Sequence, residues 1–533
     1  MLDRAAAENK YGSCTTGIER VIPAALRPIS VDDVVAIVDI ARNHQVPLYP
    51  ISTGRNWGYG SSNPVVDGCV IVDLSALNSI EVDPELGLAT VGPGATQRQL
   101  YEYLCDKNLA FLVPVTGAGP DCSLVGNALE RGYGITPYAD HFAAVTALEA
   151  VLPDGRIYRS ALSELGGETV NRAFKWGVGP HLDGLFAQSN FGIVTRMTIA
   201  LAPRPERIEI FIFSMGDDAR LEAAVLAVRN ILRTVGGVTG SINLMNARRV
   251  LAMAEPEAWR RGRPEAPLPP GVVAELARGH GISAWTGLGA LYGEAQVVKA
   301  ARRAIRKILK PVASRVMFHT PVFAAVSRLL QQTPRLRNGR SAKRAAMFDA
   351  AQRLSEGEPS EIALPLAYWR AANPQRPNAK MDPARDGCGL IWYPPLVPMT
   401  AERVRCYVAM VESVCAKHGL DPLITLTSLS DRCFDSSVPL LFDRRDPRQI
   451  AQAQSCYRDL LETGRAEGFI PYRMAVNAMD WVSQPQSPYW DIVERIKTSI
   501  DPNGVIAPGR YARFPSLRYE VTELGSPKTL VGG

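Results

Sequence analysis

The chain begins with short apolar runs separated by glycine-rich stretches and continues with longer segments of helical periodicity. Apolar runs of a length typical of buried β-strands lie at Val46–Ile51, Gly68–Leu74 and Val145–Leu152. Apolar residues recur at helical spacing over Ala219–Arg233 and Ala401–His418, which predicts an amphipathic helix in each segment. The pattern therefore predicts strands and loops first, and helices in the middle of the chain.

Proline-bearing connections interrupt the middle of the chain at 264–270 and 374–377. The sequence contains no internal repeat and no low-complexity segment. A chain of 533 residues is too long for one hydrophobic core, so we expect two or more domains.

The loop Ser52–Gly60, which lies between two strand-like runs, has the composition of an anion-binding loop. Gly54, Gly58 and Gly60 allow sharp turns that bring backbone N–H groups close to a ligand, and Arg55 adds a positive charge. The loop matches neither the phosphate-binding P-loop signature nor the dinucleotide-binding signature. An ordinary glycine-rich turn is the alternative, and the loop alone does not decide between the two interpretations.

Three further blocks follow this loop along the chain. They are Gly117–Gly132, Tyr133–Phe142 and Gly179–Thr195. In order and spacing, the loop and these blocks resemble the flavin domain of the vanillyl-alcohol oxidase family, which includes eugenol oxidase and the 4-cresol methylhydroxylase flavoprotein. The resemblance covers Ile22–Pro203 and implies that the chain binds FAD.

The same resemblance returns near the C-terminus, at Gly468–Arg473 and Asp501–Arg510. It implies an α+β fold, with a two-subdomain FAD-binding domain and an inserted cap domain that carries an antiparallel sheet and helices. The FAD-binding domain would then occupy residues 1–203 and 469–533, and the substrate cap would occupy residues 204–468.

The resemblance also implies which residues contact FAD, and it implies no metal site. Most of these residues lie in the glycine loop and in the blocks after Gly117. They are Ser52, Thr53, Gly54, Arg55, Asn56, Gly58, Tyr59, Gly60, Gly119, Ser123, Gly126, Asn127, Arg131, Gly132, Thr136, Gly192, Ile193, Val194 and Arg510.

Tyr59, Tyr472 and Arg473 lie at positions where the family binds the oxygen of a para-substituted phenol. A phenol has a pKa of about 10, and two hydroxyl donors with a guanidinium would stabilise its anion and lower that pKa. An ionised phenol pushes electron density to the para carbon, which favours hydride loss from the para side chain. A strand tyrosine beside a surface arginine is the alternative for the pair at 472–473.

Two further residues have roles that the resemblance implies. Asp140 matches a carboxylate near flavin N5, where it would act as an acid or base or stabilise positive charge on the substrate. Its alternative is a turn-capping aspartate. Arg510 lies where a basic group faces the flavin pyrimidine edge, and its alternative is a surface arginine.

The chain departs from the family at the positions of covalent FAD attachment. Gly389 stands where many members have the linking histidine, and Met381 stands at about the position of a linking tyrosine. Cys388 could form a thioether, although a buried and inert cysteine is the stronger interpretation. We therefore expect FAD to be bound without a covalent link. The cap also departs, since Cys433–Ser436 replaces a Met-His-His run, so the substrate pocket should differ from that of close relatives.

The resemblance implies oxidation of the side chain of a para-substituted phenol, by hydride transfer to flavin N5 through a quinone methide. Hydroxylation, alcohol oxidation and desaturation all fit this chemistry, and O2 or another redox carrier would reoxidise the flavin. One alternative is a flavin enzyme for a non-phenolic, anionic substrate, as in the alkyl-dihydroxyacetone-phosphate synthase branch. The other is a protein with a structural flavin that docks a partner. Family members are often dimers, so we expect a homodimer.

Composition and charge are those of a soluble globular protein. Hydrophobic residues make up 46% and charged residues 21% of the chain, and no apolar run approaches the ~20 residues of a membrane span. The net charge is only +6, but basic residues cluster at Lys299–Lys310, which predicts a solvated helix face, or else a site for an acidic partner or a membrane surface. No aromatic residues lie between these charges, so a nucleic-acid role is not supported.

The nine cysteines have no disulfide pattern and the N-terminus has no secretory signal, so we expect a cytoplasmic protein.

Overall fold

The computed structural model describes residues 1–255, 258–262, 266–332, 339–371, 380–483 and 487–513. The proline-bearing connection at 374–377 lies outside these residues, and the one at 264–270 lies partly outside them. The described strands are β1 (Ala25–Leu26), β2 (Leu48–Ile51), β3 (Val70–Asp73), β4 (Ile80–Asp83), β5 (Leu88–Val91), β6 (Phe111–Leu112), β7 (Val145–Val151), β8 (Ile157–Arg159), β9 (Ile193–Ala200), β10 (Ala202–Pro203), β11 (Arg207–Met215), β12 (Asn243–Asn246), β13 (Trp285–Gly293), β14 (Arg315–Phe318), β15 (Cys388–Tyr393), β16 (Leu396–Pro398), β17 (Thr425–Ser428) and β18 (Cys433–Asp443). The described α-helices are α1 (Arg4–Tyr11), α2 (Val31–His44), α3 (Gln97–Asp106), α4 (Leu124–Leu129), α5 (Ala161–Glu164), α6 (Glu168–Ala173), α7 (Leu221–Val235), α8 (Ala247–Ala254), α9 (Pro270–His280), α10 (Ala295–Leu309), α11 (Pro321–Gln332), α12 (Arg340–Ser355), α13 (Ala401–Lys417), α14 (Pro447–Glu467), α15 (Met479–Ser483) and α16 (Pro488–Ile500).

A small parallel sheet carries the start of the chain and also receives its C-terminal part. Its strands pair in the order β1–β3–β2. Beyond β2, the N–H of Leu48 donates to the carbonyl of Val505 at 2.8 Å, and the N–H of Ala507 donates to the carbonyl of Leu48 at 2.8 Å. These residues share a buried cluster with Val34 and Val38 of α2. Residues 505–507 therefore complete a core that begins more than 400 residues earlier.

A buried lysine fixes this C-terminal segment. The Nζ of Lys497 contacts a carboxylate oxygen of Asp501 and donates to the carbonyls of Asn190 at 2.6 Å and Ile506 at 3.1 Å. Burial lowers the pKa of the Lys497 ammonium, and the carboxylate of Asp501 opposes that shift. Three acceptors thus replace the water that the buried ammonium loses.

A second sheet is antiparallel and pairs in the order β4–β5–β9–β7–β8. Helices α3 and α4 pack on it through one apolar cluster, which includes Leu100 and Val125 from the helices and Met197 from the sheet. Helix α4 begins at a capping serine, because the Oγ of Ser123 accepts a hydrogen bond from the N–H of Gly126 at 2.9 Å. The sheet thereby holds the start of α4 in a defined place.

The middle of the chain forms a large antiparallel sheet in the order β14–β11–β13–β12–β17–β18–β15, with β16 also paired to β18. Side chains alternate between its two faces. Phe211 and Phe213 of β11 belong to the largest apolar core, together with residues of α7, α10 and α13. Ile212 and Ser214 of the same strand point the other way and line a cavity. One face of this sheet therefore packs in the core, and the other face lines the cavity.

The predicted helices and strands are present close to their expected bounds. Helices α7 and α13 cover most of the two segments with helical periodicity, and β2, β3 and β7 lie within the three strand-like runs. The basic segment Lys299–Lys310 lies almost wholly in α10, where Val298 and Ile305 are buried and Arg302 contacts Glu209 at 3.1 Å. Its cationic side is thus the outer face of a packed helix. Among the described residues, no helix is long and apolar enough to cross a bilayer.

Candidate functional site

A cavity of about 1570 Å³ lies where the glycine loop, the start of α4 and the polar face of the large sheet meet. Its volume exceeds that of a typical small-molecule pocket, so it has room for a large cofactor and a substrate together. The predicted site residues that line it are Ser52, Thr53, Gly54, Arg55, Asn56, Tyr59, Ser123, Gly126, Asn127, Gly132, Gly192, Ile193, Val194, Tyr472, Arg473 and Arg510.

The glycine loop presents free backbone donors to this cavity. The amides of Thr53, Gly54 and Arg55 make no hydrogen bond to a described residue. Arg55 is not a free charge, because its guanidinium forms an ion pair with Asp382 at 2.5 Å. A turn of unpaired N–H groups beside an arginine is a concavity that binds anionic oxygens, such as those of a cofactor's phosphates. The loop therefore fits the phosphate-bearing part of a dinucleotide.

Gly58 and Gly60 shape the loop from outside the cavity lining. Their φ angles are 76° and 131°, a region that favours glycine. A Cβ on Gly58 would lie 2.2 Å from Cδ1 of Trp392, and one on Gly60 would lie 2.6 Å from a methyl group of Val476. Neither glycine lines the cavity, because the space beside each α-carbon is filled by protein, and their contact with the cofactor stays a prediction.

The start of α4 packs directly on the glycine loop. A Cβ on Gly126 would lie 2.4 Å from the Oγ of Ser52, so only glycine allows the helix to approach this closely. Ser123, Gly126 and Asn127 thereby form a second side of the cavity. The Oδ1 of Asn190, which also lines the cavity, is buried without a hydrogen-bond partner among the described residues. Such an orphaned acceptor marks a place where a ligand donor would fit.

Tyr59, Tyr472 and Arg473 lie together on the cavity wall. The Cζ of Arg473 lies 4.1 Å from the centroid of the Tyr59 ring, and the ring of Tyr472 packs edge-on against Tyr133 with centroids 5.5 Å apart. Neither the Tyr59 nor the Tyr472 hydroxyl bonds to a described residue. Burial raises the pKa of both phenols, so both remain protonated hydrogen-bond donors.

A buried glutamate joins two of the predicted arginines. Glu130 Oε2 lies 3.1 Å from Nε of Arg473, and its other oxygen contacts Arg510. Arg510 also donates to the hydroxyl of Tyr49 at 2.8 Å, and Arg473 donates to the side-chain oxygen of Asn56. One negative charge between two positive ones leaves the local charge of the cavity positive, which suits an anionic ligand.

Asp435 is a buried carboxyl group on the polar face of the large sheet. It lies on β18 opposite Thr427 and lines the cavity. Its Oδ1 is buried and has no hydrogen-bond partner among the described residues. Burial raises the pKa of Asp435 well above the ordinary value, and the charge of Arg473 only partly opposes this. The charge of Asp435 in turn helps to raise the pKa of Tyr59 and Tyr472, which places it in their electrostatic surroundings.

Arg249, in α8, is another charged side chain on the cavity wall. Its Nε donates to the Oγ1 of Thr425 at 3.0 Å, and its guanidinium carbon lies 5.6 Å from the centroid of the Trp392 ring. Its Nη1 is buried and has no hydrogen-bond partner within the described ranges.

Comparison with known proteins gives the family. Residues 22–161 match the FAD binding domain model. The chain is 38% identical over 517 residues to 1'-carboxy-chondrochloren decarboxylase of Chondromyces crocatus, covering 95% of this chain and 93% of that protein. It is 31% identical over 493 residues to the 4-cresol dehydrogenase (hydroxylating) flavoprotein subunit of Pseudomonas putida, covering 91% and 87%. This chain belongs to the vanillyl-alcohol oxidase and 4-cresol methylhydroxylase family.

The fold agrees with that membership. The crystal structure of p-cresol methylhydroxylase with substrate bound superposes with a TM-score of 0.85 at 28% identity, covering 96% of this chain and 94% of that one. The predicted α+β fold, with its flavin domain and its antiparallel sheet and helices, is thereby confirmed. FAD is the cofactor of the family, and the free amides of the glycine loop fit it. The domain boundaries at 203 and 468 stay predictions.

The resemblance implies a place near the flavin for Asp140, but this residue does not line the cavity. Asp140 is exposed and accepts a hydrogen bond from the N–H of Ala143 at 2.9 Å. This contact is that of a turn-capping aspartate, the alternative that the sequence left open.

Three predicted cofactor contacts also lie outside the cavity lining. Gly119 has a φ of 94° and packs near Leu364, Arg131 is exposed with a φ of 51°, and Thr136 is buried elsewhere. Gly119 and Arg131 take left-handed backbone conformations in the turns between the blocks, and the contact of all three residues with FAD stays a prediction.

The positions related to covalent attachment also lie away from the cavity. A Cβ on Gly389 would lie 2.4 Å from the ring of Phe442, so a side chain there has no room. Cys388 is fully buried, and burial raises the pKa of its thiol to about 12. Neither residue lines the cavity, and Met381 does not line it either. The thiol is thus protonated and outside the cavity lining, which supports the inert interpretation of Cys388.

Sequence reasoning missed Glu130, Asp435 and Arg249 as site residues. Glu130 and Asp435 lie inside segments that the motif comparison covered, but nothing at their positions marks them as charged groups of the cavity. Period-two alternation along β18 would have placed Asp435 and Ser437 on one face, had the strand been predicted. Arg249 follows no motif.

We expect Gly58→Ala to lower FAD affinity at least tenfold, because the new methyl group would collide with Trp392 and distort the loop. Titration of the apoprotein with FAD, followed by flavin fluorescence, measures this. Gly68→Ala is the matched control, since Gly68 also has a positive φ but no atom lies within 4 Å of its added Cβ. Equal FAD affinity in the two variants would show that the contact with Trp392 does not shape the loop.

Proposed function

We propose that this chain uses FAD to oxidise the side chain of a para-substituted phenol. The observation that carries the proposal is the group Tyr59, Tyr472 and Arg473, whose two hydroxyls are free donors on the wall of one cavity. The family relationship to a 4-cresol dehydrogenase supports the same reaction class.

The three residues suit the binding of a phenolate oxygen. Both tyrosines stay neutral, because burial raises their pKa values, so each can donate a hydrogen bond to an oxyanion. Arg473 is held in place by Glu130 and Asn56, and its guanidinium adds positive charge. Two donors and a cation favour the ionised phenol over the neutral one and so lower its pKa. Ionisation then activates the carbon attached to the para position of the ring.

The glycine loop, the start of α4 and Arg510 would hold FAD without a covalent bond. FAD, when bound, accepts the hydride that leaves the activated carbon. Arg510 and Glu130 border the cavity as an ion pair, so Arg510 can stabilise negative charge on a ligand while it stays fixed.

Asp435 is suited to take up the proton of the phenol. Its carboxyl group is buried, lacks a partner at Oδ1, and lies in the electrostatic surroundings of Tyr59 and Tyr472. Burial raises the pKa of this carboxyl group, which makes its carboxylate a stronger proton acceptor than an exposed one. We infer that Asp435, rather than Asp140, is the carboxyl group that acts in this cavity.

Loss of CO2 is one outcome of the same oxidation, and the relative with 38% identity is named a decarboxylase. Hydride loss leaves a quinone methide. If the next carbon of the side chain carries a carboxylate, the electron pair of the bond to that carboxylate can form an alkene. The ring then regains its phenolate oxygen and CO2 leaves, so no further oxidant is needed. Without that carboxylate, water addition or proton loss completes the reaction.

The first test is anaerobic mixing of the holoenzyme with para-alkylphenols and 3-(4-hydroxyphenyl)propanoate, followed by flavin absorbance. We expect at least one phenol to bleach the flavin rapidly, and Tyr472→Phe to slow that bleaching about 10²-fold, since it removes a donor to the oxyanion. Tyr133→Phe is the matched control, because it alters a neighbouring ring of the same cavity. Bleaching by non-phenolic anions alone would favour the alternative substrate class.

A second test concerns Asp435→Asn. We expect flavin reduction to slow by about 10²-fold to 10⁴-fold and to lose its dependence on a group that titrates above pH ~4. The variant should also be more stable than the parent above pH ~4. The pKa of Asp435 is raised on folding, so its destabilising effect is absent at low pH and grows as the pH rises toward the folded-state pKa. Denaturant midpoints at pH 4 and pH 7 measure this, and an equal difference at both would contradict it.

The cofactor link is tested by precipitating the holoenzyme with acid. We expect all FAD to remain in the supernatant, because neither Cys388 nor Gly389 lines the cavity. Cys388→Ala should behave in the same way. A yellow pellet from the parent that turns colourless in this variant would establish the thioether instead.

A further inference from the structure

Arg249 carries a positive charge that no described residue neutralises. No carboxylate within the described ranges forms an ion pair with it, and its recorded polar contact is the Thr425 hydroxyl. Burial lowers the pKa of the guanidinium to about 9, so it is still protonated at neutral pH. By contrast, Arg473 and Arg510, which line the same cavity, both contact Glu130.

An unpaired cation inside a protein is unfavourable, since desolvation of the charge is not offset by a partner. Arg249 is nevertheless held firmly. Its Nε is fixed on Thr425, and its plane packs near Trp392, with 5.6 Å from the guanidinium carbon to the ring centroid. A fixed and uncompensated guanidinium on a cavity wall has the properties of an anion-binding group.

The sheet register shows where this group stands relative to the phenol site. Thr425, which holds Arg249, pairs with Ser437, and Thr427 pairs with Asp435. Thr425 and Thr427 are two residues apart on β17 and therefore lie on the same face of the sheet. The residue that holds Arg249 is thus about 7 Å along the strand from Thr427, the residue opposite Asp435. Trp392 also touches the glycine loop, because the N–H of Trp392 donates to the carbonyl of Gly58 at 3.2 Å. Arg249 thus lines the same cavity as Tyr59.

We propose that Arg249 binds a carboxylate on the para side chain of the substrate, which makes that substrate a phenolic carboxylic acid. The inference rests on the proposed function for the phenol end of the molecule. A planar guanidinium with a free nitrogen edge matches a carboxylate in geometry and charge. Because this ion pair exists both before and after hydride transfer, Arg249 contributes binding and orientation to that step, and its loss should raise KM more than it lowers the rate of flavin reduction.

The test compares four ligands by calorimetric titration of the holoenzyme. They are 3-(4-hydroxyphenyl)propanoate, its neutral primary amide, 4-propylphenol and 3-phenylpropanoate. The proteins are the parent, Arg249→Gln, Tyr472→Phe and, as the matched control, Arg261→Gln. Arg261 also lines the cavity but already contacts Glu275 at 3.4 Å.

We expect Arg249→Gln to weaken the binding of 3-(4-hydroxyphenyl)propanoate about 10-fold to 100-fold and to leave the affinity for the amide and for 4-propylphenol unchanged. Tyr472→Phe should weaken the binding of all three phenols and leave the affinity for 3-phenylpropanoate unchanged. Arg261→Gln should change the affinity for none of the four ligands. If Tyr472→Phe does not change the affinity for any phenol, the phenol proposal is wrong. If the parent binds the acid and the amide with equal affinity, the carboxylate proposal is wrong.

Two further results would overturn the role of Arg249. One is loss of FAD in Arg249→Gln with no change in the preference for acid over amide, which would assign the arginine to the cofactor. The other is an equal loss of affinity for all three phenols in Arg249→Gln, which would show that Arg249 maintains the shape of the cavity and does not bind the carboxylate. Arg249→Met gives an independent measurement without substrate. Its melting temperature should exceed that of the parent, and 3-(4-hydroxyphenyl)propanoate should raise the melting temperature of the parent but not of the variant.

Discussion

The cavity depends on one buried carboxylate that two arginines share. Glu130 contacts Arg473 and Arg510, and both arginines line the cavity. Without Glu130, two guanidinium groups would lie close together away from water, an arrangement that repulsion and desolvation both oppose. The shared pairing lets the protein keep both cations at fixed places beside a space for anionic ligands. It also joins distant parts of the chain, since Glu130 and Arg473 are 343 residues apart.

The two faces of the large sheet have different roles, since one packs in the apolar core and the other lines the cavity. The face that includes Phe211 and Phe213 packs under helices, and stability comes from that burial. The opposite face carries polar side chains, among them Asp435, into the cavity. Asp435 and Arg249 each remain without a charged partner among the described residues, although apolar residues there would be more stable. Groups kept at such a disadvantage are expected where a ligand supplies the missing partner.

The sequence predicts the fold better than it predicts the site. Strand length and helical periodicity locate β2, β3, β7, α7 and α13, because those signals are local. Motif order brings Tyr59, Tyr472 and Arg473 to the cavity wall, whereas Asp140, matched in the same way, does not line the cavity. A motif match fixes the position of a residue along the chain but not whether its side chain reaches the cavity. The importance of Asp435 and Arg249 comes from missing partners across the sheet, and a missing partner is a property of the three-dimensional arrangement alone.

The return of the chain to its first core has a consequence for biosynthesis. Leu48 forms backbone hydrogen bonds with Val505 and Ala507, and Glu130 contacts Arg510, so both contacts need residues 505–510. A ribosome that adds about 5–20 residues per second takes roughly 15–60 seconds to make the stretch from residue 203 to residue 510. During that time the glycine loop exists without the arginines that complete the cavity. The complete binding site therefore exists only after residue 510 has been made, and a cofactor that needs the complete site cannot guide the folding of residues 1–203 before then.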